Sequence, residues 1–123
     1  MRLYDEEEGD LNFTELLRDY VIASMMENPE IYKRAGLSRA VFSSLFTRGH
    51  IPKKRTILAL AIGLKLDLHE TERLLMKAGY SFSDTIKGDL IVARFITQGI
   101  YDINRINEAL YEQGEPLLGS RSY

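Results

Sequence analysis

The sequence predicts an all-α protein, and three of its features support this class. Apolar residues recur three and four positions apart through most of the chain, which is the spacing of one helix face. Residues that favour helix N-caps, such as Ser38 and Asp67, precede these segments, and glycines such as Gly36 and Gly79 follow them. No segment shows a convincing alternation of apolar and polar residues, which a half-buried strand requires. We therefore predict about seven helices with short connections.

The first three helices are bounded by residues that favour caps and turns. Asn12 and Ser38 are the expected N-caps of the first and third helices. Pro29 suits the first turn of the second helix, and Gly36 closes that helix in the left-handed conformation. The predicted ranges are about 13–27, 29–35 and 39–48.

The four later helices are predicted over about 53–65, 68–78, 85–98 and 103–112. The fourth is apolar on most of its faces and should therefore be the buried centre of the fold. Asp67 followed by Glu70 has the pattern of a capping box for the fifth helix. Ser83 or Asp84 should open the sixth helix, and Asp102 should cap the seventh.

Composition excludes several classes of protein. The 123 residues suffice for one compact domain, and 45% hydrophobic with 28% charged residues is typical of a soluble globular fold. The chain has neither an apolar run of the ~20 residues that a membrane span requires nor the layout of a signal peptide. The absence of cysteine excludes disulfides and thiolate zinc sites, and it makes the cytoplasm the expected location. We predict no cofactor and no metal site.

Charge is segregated along the chain, although the net charge is only −2. Residues 1–30 carry nine acidic and two basic side chains, and residues 67–123 carry nine acidic and six basic ones. Residues 31–66 carry eight basic side chains and no acidic one. A polyanion is therefore expected to bind within this basic block. The alternative is that the block is an ordinary solvated face.

The second and third predicted helices have the spacing of a helix-turn-helix. This motif needs a turn residue that tolerates positive φ, and it needs apolar residues at fixed offsets to hold the second helix at a steep angle. Gly36 supplies the turn. The apolar positions around it are Ile31, Ala35, Leu37, Phe42 and Leu45.

The order of these features resembles the lambda-repressor-like helix-turn-helix family, also called the Cro or XRE (xenobiotic-response-element) type. The resemblance covers about residues 13–79. Its segments are 31–39 (IYKRAGLSR), Gly49, Pro52, 56–61 (TILALA) and 66–75 (LDLHETERLL). It implies a five-helix core whose third helix enters the major groove of DNA, here followed by two C-terminal helices. Tyr32 departs from the family, which usually has a small residue four positions before the turn glycine.

A closer resemblance extends to the C-terminus. The chain is similar to a bacterial helix-turn-helix module that follows ADP-ribose-binding macrodomains, and it carries this module without the macrodomain. The similar segments are 42–43 (FS), 74–80 (LLMKAGY), 99–103 (GIYDI), 106–110 (INEAL) and 116–119 (PLLG). A bacterial or phage origin follows from this resemblance. The predicted organisation is an acidic flexible arm (1–11), a helix-turn-helix domain (12–80) and a two-helix extension packed on the same domain (81–123).

Helix geometry assigns roles in DNA recognition. With Phe42, Leu45 and Phe46 facing the core, base edges should be contacted by Arg39, Ala40, Ser43, Ser44 and Thr47. Arg39 is the expected guanine reader, with a phosphate contact as the alternative. Phosphates should be contacted by Lys33, Arg34, Ser38, Arg48, His50, Lys53, Lys54 and Arg55. If four to six of these residues contact phosphates, the logarithm of the affinity should fall against the logarithm of the salt concentration with a slope of about −4 to −5.

The last two helices either enlarge the core or form a surface for a second chain. The residues of such a dimer or partner surface would be Ile103, Ile106, Leu110, Tyr111, Leu117 and Leu118. Repressors of this type pair so that two recognition helices reach successive turns of the major groove. The expected function is therefore a sequence-specific transcriptional regulator that binds double-stranded DNA as a dimer. The alternatives are a protein-interaction adaptor that retains the motif as a scaffold, and the antitoxin of a toxin–antitoxin pair.

The sequence carries no catalytic constellation. Its two histidines, His50 and His69, lie on different predicted elements. Neither has the nearby serine, cysteine and carboxylate arrangement of a nucleophilic or hydrolytic metal site. A glycine-rich phosphate-binding loop is also missing. We predict that the protein is not an enzyme.

Overall fold

The computed structural model describes residues 11–47 and 49–119, and within these ranges the chain forms seven α-helices and no strand. The predicted all-α class is therefore confirmed. The helices are α1 Phe13–Ser24, α2 Asn28–Arg34, α3 Arg39–Ser44, α4 Lys54–Gly63, α5 Leu68–Lys77, α6 Lys87–Thr97 and α7 Ile103–Glu112. The predicted acidic arm, except for Leu11, lies outside the described residues. Within the described ranges, no helix combines the length and apolar character that crossing a bilayer requires.

Predicted N-caps are confirmed at four helices, by Asn12, Ser38, Asp67 and Asp102. Each side chain accepts a hydrogen bond from a backbone N–H of the first helical turn. The capping box of α5 is complete, since the Glu70 carboxylate also accepts from the N–H of Asp67. Glu15 completes the same arrangement at α1, which the sequence analysis did not anticipate. Local hydrogen bonds of this kind explain why most helix starts were predictable.

Several helices are shorter than predicted, and the reason is visible at α3 and α6. α3 ends at Ser44, because each of the next three amides donates to the carbonyl three residues back and tightens the chain into turns. α6 begins at Lys87, because the Ser83 hydroxyl accepts from the N–H groups of Thr85 and Ile86 and holds a turn before the helix.

α4 lies at the centre of the fold, as its apolar sequence predicts. All residues from Thr56 to Gly63 are buried. α2, α5 and α7 pack against α4, while α6 packs against α5 and α7. The two C-terminal helices therefore share one core with the preceding five.

This packing corrects the predicted partner surface. Ile106, Leu110 and Leu118 are at most 6% exposed, because they close the core of a single chain. Ile103 and Leu117 are half-buried against the same core. Tyr111, at 78% exposure, is the one residue of the six that remains open to a second chain.

Gly63 permits a close crossing of α2 and α4. A Cβ atom at this position would lie 2.7 Å from the carbonyl oxygen of Ile31 and 2.9 Å from the Cβ of Ala35. Neither atom can move without shifting α2. We expect Gly63→Ala to lower the melting temperature, because overpacking costs about 1–3 kcal/mol and exceeds the gain in helix propensity of at most about 1 kcal/mol. Calorimetry provides the measurement.

Gly88→Ala is the matched control, since Gly88 also lies inside a helix. A Cβ atom there would meet only the flexible Glu115 side chain, 2.7 Å from its Oε1. The melting temperature of Gly88→Ala should therefore stay close to that of the wild type. Equal melting temperatures for the two variants would contradict the packing argument.

Tyr101 connects the C-terminal helices to the rest of the chain. Its hydroxyl donates to the carbonyl oxygen of Leu66 over 2.7 Å. Burial raises the pKa of Tyr101 above its usual value of 10.0, and the carboxylates of Asp67 and Glu70 raise it further. The neutral phenol is therefore favoured in the folded state.

This raised pKa predicts a loss of stability at high pH. The neutral Tyr101 phenol contributes fully to folding stability well below about pH 10, where it is neutral in both the folded and the unfolded state. This contribution is lost as pH rises through the folded-state pKa. We expect urea denaturation to show a steeper decline between about pH 9 and 11 for the wild type than for Tyr101→Phe. Parallel declines would show that Tyr101 does not carry the effect.

Candidate nucleic-acid interface

Gly36 forms the turn between α2 and α3 with a φ of +70°. Its N–H donates to the carbonyl of Lys33, and the N–H of Leu37 donates to the carbonyl of Tyr32, which closes the end of α2. The five apolar positions around this turn are at most 5% exposed: Ile31, Ala35, Leu37, Phe42 and Leu45. The two short helices are therefore held by both a left-handed turn and a shared core.

Tyr32 contributes to this core. Its ring centroid lies 5.7 Å from that of Phe42, which in turn meets Phe46 edge-on at 5.4 Å. The Arg18 guanidinium carbon lies 5.7 Å from the centre of the Phe46 ring. The large side chain at position 32 thus packs between α2 and α3, and the guanidinium of Arg18 on α1 covers the last ring of the row.

α3 has a buried face and an exposed polar face. Phe42 and Leu45 lie in the core, and Phe46 is half-buried. The exposed residues among the predicted base contacts are Arg39, Ala40, Ser43 and Thr47. Ser44 is half-buried, and its hydroxyl donates to the carbonyl of Val41 over 2.6 Å. Ser44 is therefore bound to its own helix.

Positive charge collects beside α3. A cavity of about 220 Å3 between α3 and the start of α4 is lined in part by Ser44, His50, Lys53 and Arg55. Among the cations of the basic block that form no ion pair with any described residue are Lys33, Arg39, Lys53 and Arg55. α4 also begins without a side-chain cap. The N–H of Thr56 donates to the carbonyl of Lys53, while the N–H groups of Lys54 and Arg55 have no acceptor among the described residues. Ser38, His50 and Lys33 are exposed.

Two predicted phosphate ligands are used inside the fold. Arg34 donates from Nε to the carbonyl of Gly63 over 3.1 Å and from Nη2 to the carbonyl of Tyr101 over 3.3 Å. The Nζ of Lys54 lies 2.6 Å from the Oδ2 of Asp89 on α6. These interactions correct the prediction that Arg34 and Lys54 bind phosphate. Arg48, another predicted ligand, lies outside the described residues.

The C-terminal tail reaches this region through contacts that the sequence analysis missed. The Asn107 Oδ1 accepts from the N–H of Leu118 over 2.8 Å, and its Nδ2 donates to the carbonyl of the same residue over 3.2 Å. Gly119 follows, and a Cβ atom there would lie 2.8 Å from the carbonyl oxygen of Gly36. The tail therefore passes across the turn before α3. No local pattern predicts a contact between positions so distant in sequence.

The exposed side chains of this surface offer groups that can bind an anion. Arg39 and Ser43 offer hydrogen-bond donors, and Lys53 and Arg55 offer positive charge. Among residues 11–47 and 49–119, no three His, Asp or Glu side chains are grouped so that they could hold a metal ion. The arrangement fits the recognition of a polyanion.

Comparisons with known proteins add nothing to this geometry. No protein-family model, curated protein or solved structure matches the chain.

Proposed function

We propose that α2 and α3 form a helix-turn-helix and that the protein is a sequence-specific DNA-binding regulator of the Cro/XRE type. The observation that carries this proposal is the two-faced α3. Its apolar residues Phe42 and Leu45 are buried, and its polar side is exposed beside cations that form no ion pair with a described residue. An exposed helix with small polar side chains and one arginine can enter a major groove.

The exposed side chains of α3 supply the base contacts. Arg39 lies at the first position of the helix, the end that reaches base edges in this motif, and its guanidinium can donate two hydrogen bonds to guanine. Ser43 lies one turn further on the same face and can donate to or accept from several bases. Ala40 can contact a thymine methyl group.

The surrounding residues supply the phosphate contacts. Lys33 precedes the turn, while Lys53 and Arg55 follow α3 in the chain. Ser38 and His50 add hydrogen-bonding groups at the two ends of the α3 region. The helix dipole of α4 favours an anion at its N-terminus, where the N–H groups of Lys54 and Arg55 have no acceptor among the described residues. Such contacts orient the protein without reading the sequence.

A salt titration tests the proposal. Fluorescence anisotropy with a random duplex should show log affinity falling against log salt with a slope of about −3 to −4 per chain, since Lys33, Arg39, Lys53 and Arg55 are the described cations left for phosphate. This slope is shallower than the sequence alone suggested, because Arg34 and Lys54 contact other parts of the fold and are no longer counted as phosphate contacts. Selection from a random pool should then yield a preferred site.

Charge removal provides the matched control. Lys53→Ala should weaken binding and reduce the slope by about 0.9. Lys87→Ala removes an exposed lysine from α6 and should leave both the affinity and the salt slope unchanged. Absent or salt-independent binding at low salt would contradict a regulator and favour the adaptor alternative.

The regulator acts as a homodimer in this proposal, because a two-fold operator presents half-sites about 34 Å apart to two recognition helices. Tyr111 is the exposed residue retained from the predicted pairing surface. The antitoxin alternative keeps the same DNA contacts and adds a protein partner.

A further inference from the structure

A cavity of about 360 Å3 lies where α4, α6, α7 and the C-terminal tail meet. Its apolar walls include four residues that are at most 6% exposed: Leu58, Val92, Leu110 and Leu118. Ile86, at 47% exposure, also lines the cavity. A concave, mostly apolar space of this size with a few polar groups is typical of a small-molecule site.

Most of the polar groups in the lining already have partners. The Asp89 Oδ2 accepts from the Nζ of Lys54 over 2.6 Å and from the N–H of Ser83 over 2.7 Å. The Glu115 Oε1 accepts from the N–H of Gly88 over 2.9 Å. These two carboxylates are thereby held by groups of the protein itself.

Two cations in the lining have no such partner among the described residues. Lys53 and Arg55 line the cavity, and neither forms an ion pair with any residue that the structure describes. The five charged residues of the lining are three bases and two acids, so their formal sum is +1. The charge still open to a ligand is therefore positive, and it lies at the α4 edge of an otherwise apolar space.

We propose that this cavity binds a small apolar molecule that carries one carboxylate. The hydrocarbon part lies against Ile86 and the accessible edges of Leu58 and Leu118, and the carboxylate lies toward Lys53 and Arg55. Burial of the hydrocarbon supplies most of the binding free energy. Each buried CH2 group makes this free energy more favourable, whereas the partly exposed ion pairs change it little. The charge selects an anion over a neutral or cationic molecule of the same length.

This inference goes beyond the DNA-binding proposal and does not depend on it. Binding is measured on the full-length protein without DNA. A protein that failed to bind DNA would still be expected to bind the carboxylate, and the two failures can therefore be distinguished.

Titration with octanoate, followed by two-dimensional amide NMR, provides the test. We expect saturable shifts at residues around the cavity, among them Leu58, Gly88 and Val92, with a Kd at or below about 1 mM for a ligand of this size. Octan-1-ol should bind about two- to tenfold more weakly, because it lacks the charge that meets Lys53 and Arg55. Octylammonium should bind more weakly still.

Two variants separate the site from nonspecific binding. Ile86→Trp should fill the cavity entrance from a partly exposed position and weaken octanoate binding at least tenfold. Leu90→Trp is the matched control: Leu90 is 45% exposed on the same helix but does not line this cavity. Its octanoate affinity should equal that of the wild type.

Removing charge tests the orientation of the ligand. Lys53→Ala combined with Arg55→Ala should remove the preference for octanoate over octan-1-ol, while Lys33→Ala combined with Arg94→Ala should retain it. The proposal is overturned by shifts that do not saturate below about 5 mM, by equal affinities for the three probes, or by unchanged binding in Ile86→Trp.

Discussion

Arg39→Ala is expected to lower affinity for a selected DNA site roughly 5- to 150-fold, because a bidentate contact between arginine and guanine contributes about 1–3 kcal/mol of discrimination. Arg39 is exposed at the start of α3 and forms no ion pair with a described residue. Affinity for random duplex should fall much less, since only one charge is removed there. Competition anisotropy with the selected and random duplexes measures both effects.

Arg39→Lys distinguishes a base contact from a phosphate contact. Lysine retains the charge but lacks the planar fork that donates two hydrogen bonds to one guanine. If Arg39 reads a base, Arg39→Lys should lose most of the specificity and keep the affinity for random DNA. Arg94→Ala removes an exposed arginine from α6 and serves as the control for charge alone. Equal losses on both duplexes would assign Arg39 to phosphate.

Lys54→Ala is expected to destabilise the protein by about 2–4 kcal/mol, because it leaves a buried carboxylate without its cation. Asp89 is 5% exposed, and among the described residues it would keep only the hydrogen bond from the N–H of Ser83. We place the expectation toward the lower part of the range measured for buried pairs, since the Lys54 side chain is itself 25% exposed. Chemical denaturation at neutral pH measures the free energy of unfolding.

The neighbouring lysine is the matched control for this effect. Lys53 is exposed and has no ion pair with a described residue, so Lys53→Ala should change stability by less than about 0.5 kcal/mol. Combining Lys54→Met with Asp89→Leu should restore much of the lost stability, because it removes the unpaired charge together with its partner. Similar losses for Lys53→Ala and Lys54→Ala would refute a structural role for the ion pair.

Charge patterns describe a segment but do not determine how each side chain is used. The basic block supplies eight positive residues, yet two of them serve the fold. Arg34 contacts Gly63 and Tyr101, and Lys54 contacts Asp89. Each partner lies at least 29 residues away in the sequence, and no periodicity predicts the contact. Phosphate contacts were therefore overestimated, whereas the exposed residues of α3 were largely identified.

The C-terminal helices illustrate the same limit for apolar residues. The spacing of Ile106 and Leu110 predicts one apolar face on α7 and leaves open whether the same chain or a second chain covers it. In the structure that face packs on α4 and is fully buried. Tyr32 is a similar case, because only the position of Phe42 determines where its ring lies.

The sequence by itself determined the all-α class, the caps of four helices, the left-handed turn at Gly36 and the burial of α4. These features depend on hydrogen bonds and conformational preferences within a few residues, or on the 3.6-residue period of a single helix. Only the tertiary structure decided which cations contact other described residues, which apolar face closes the core and where the tail meets the turn before α3. Those outcomes depend on contacts between residues far apart in the chain, and such contacts are absent from any local pattern.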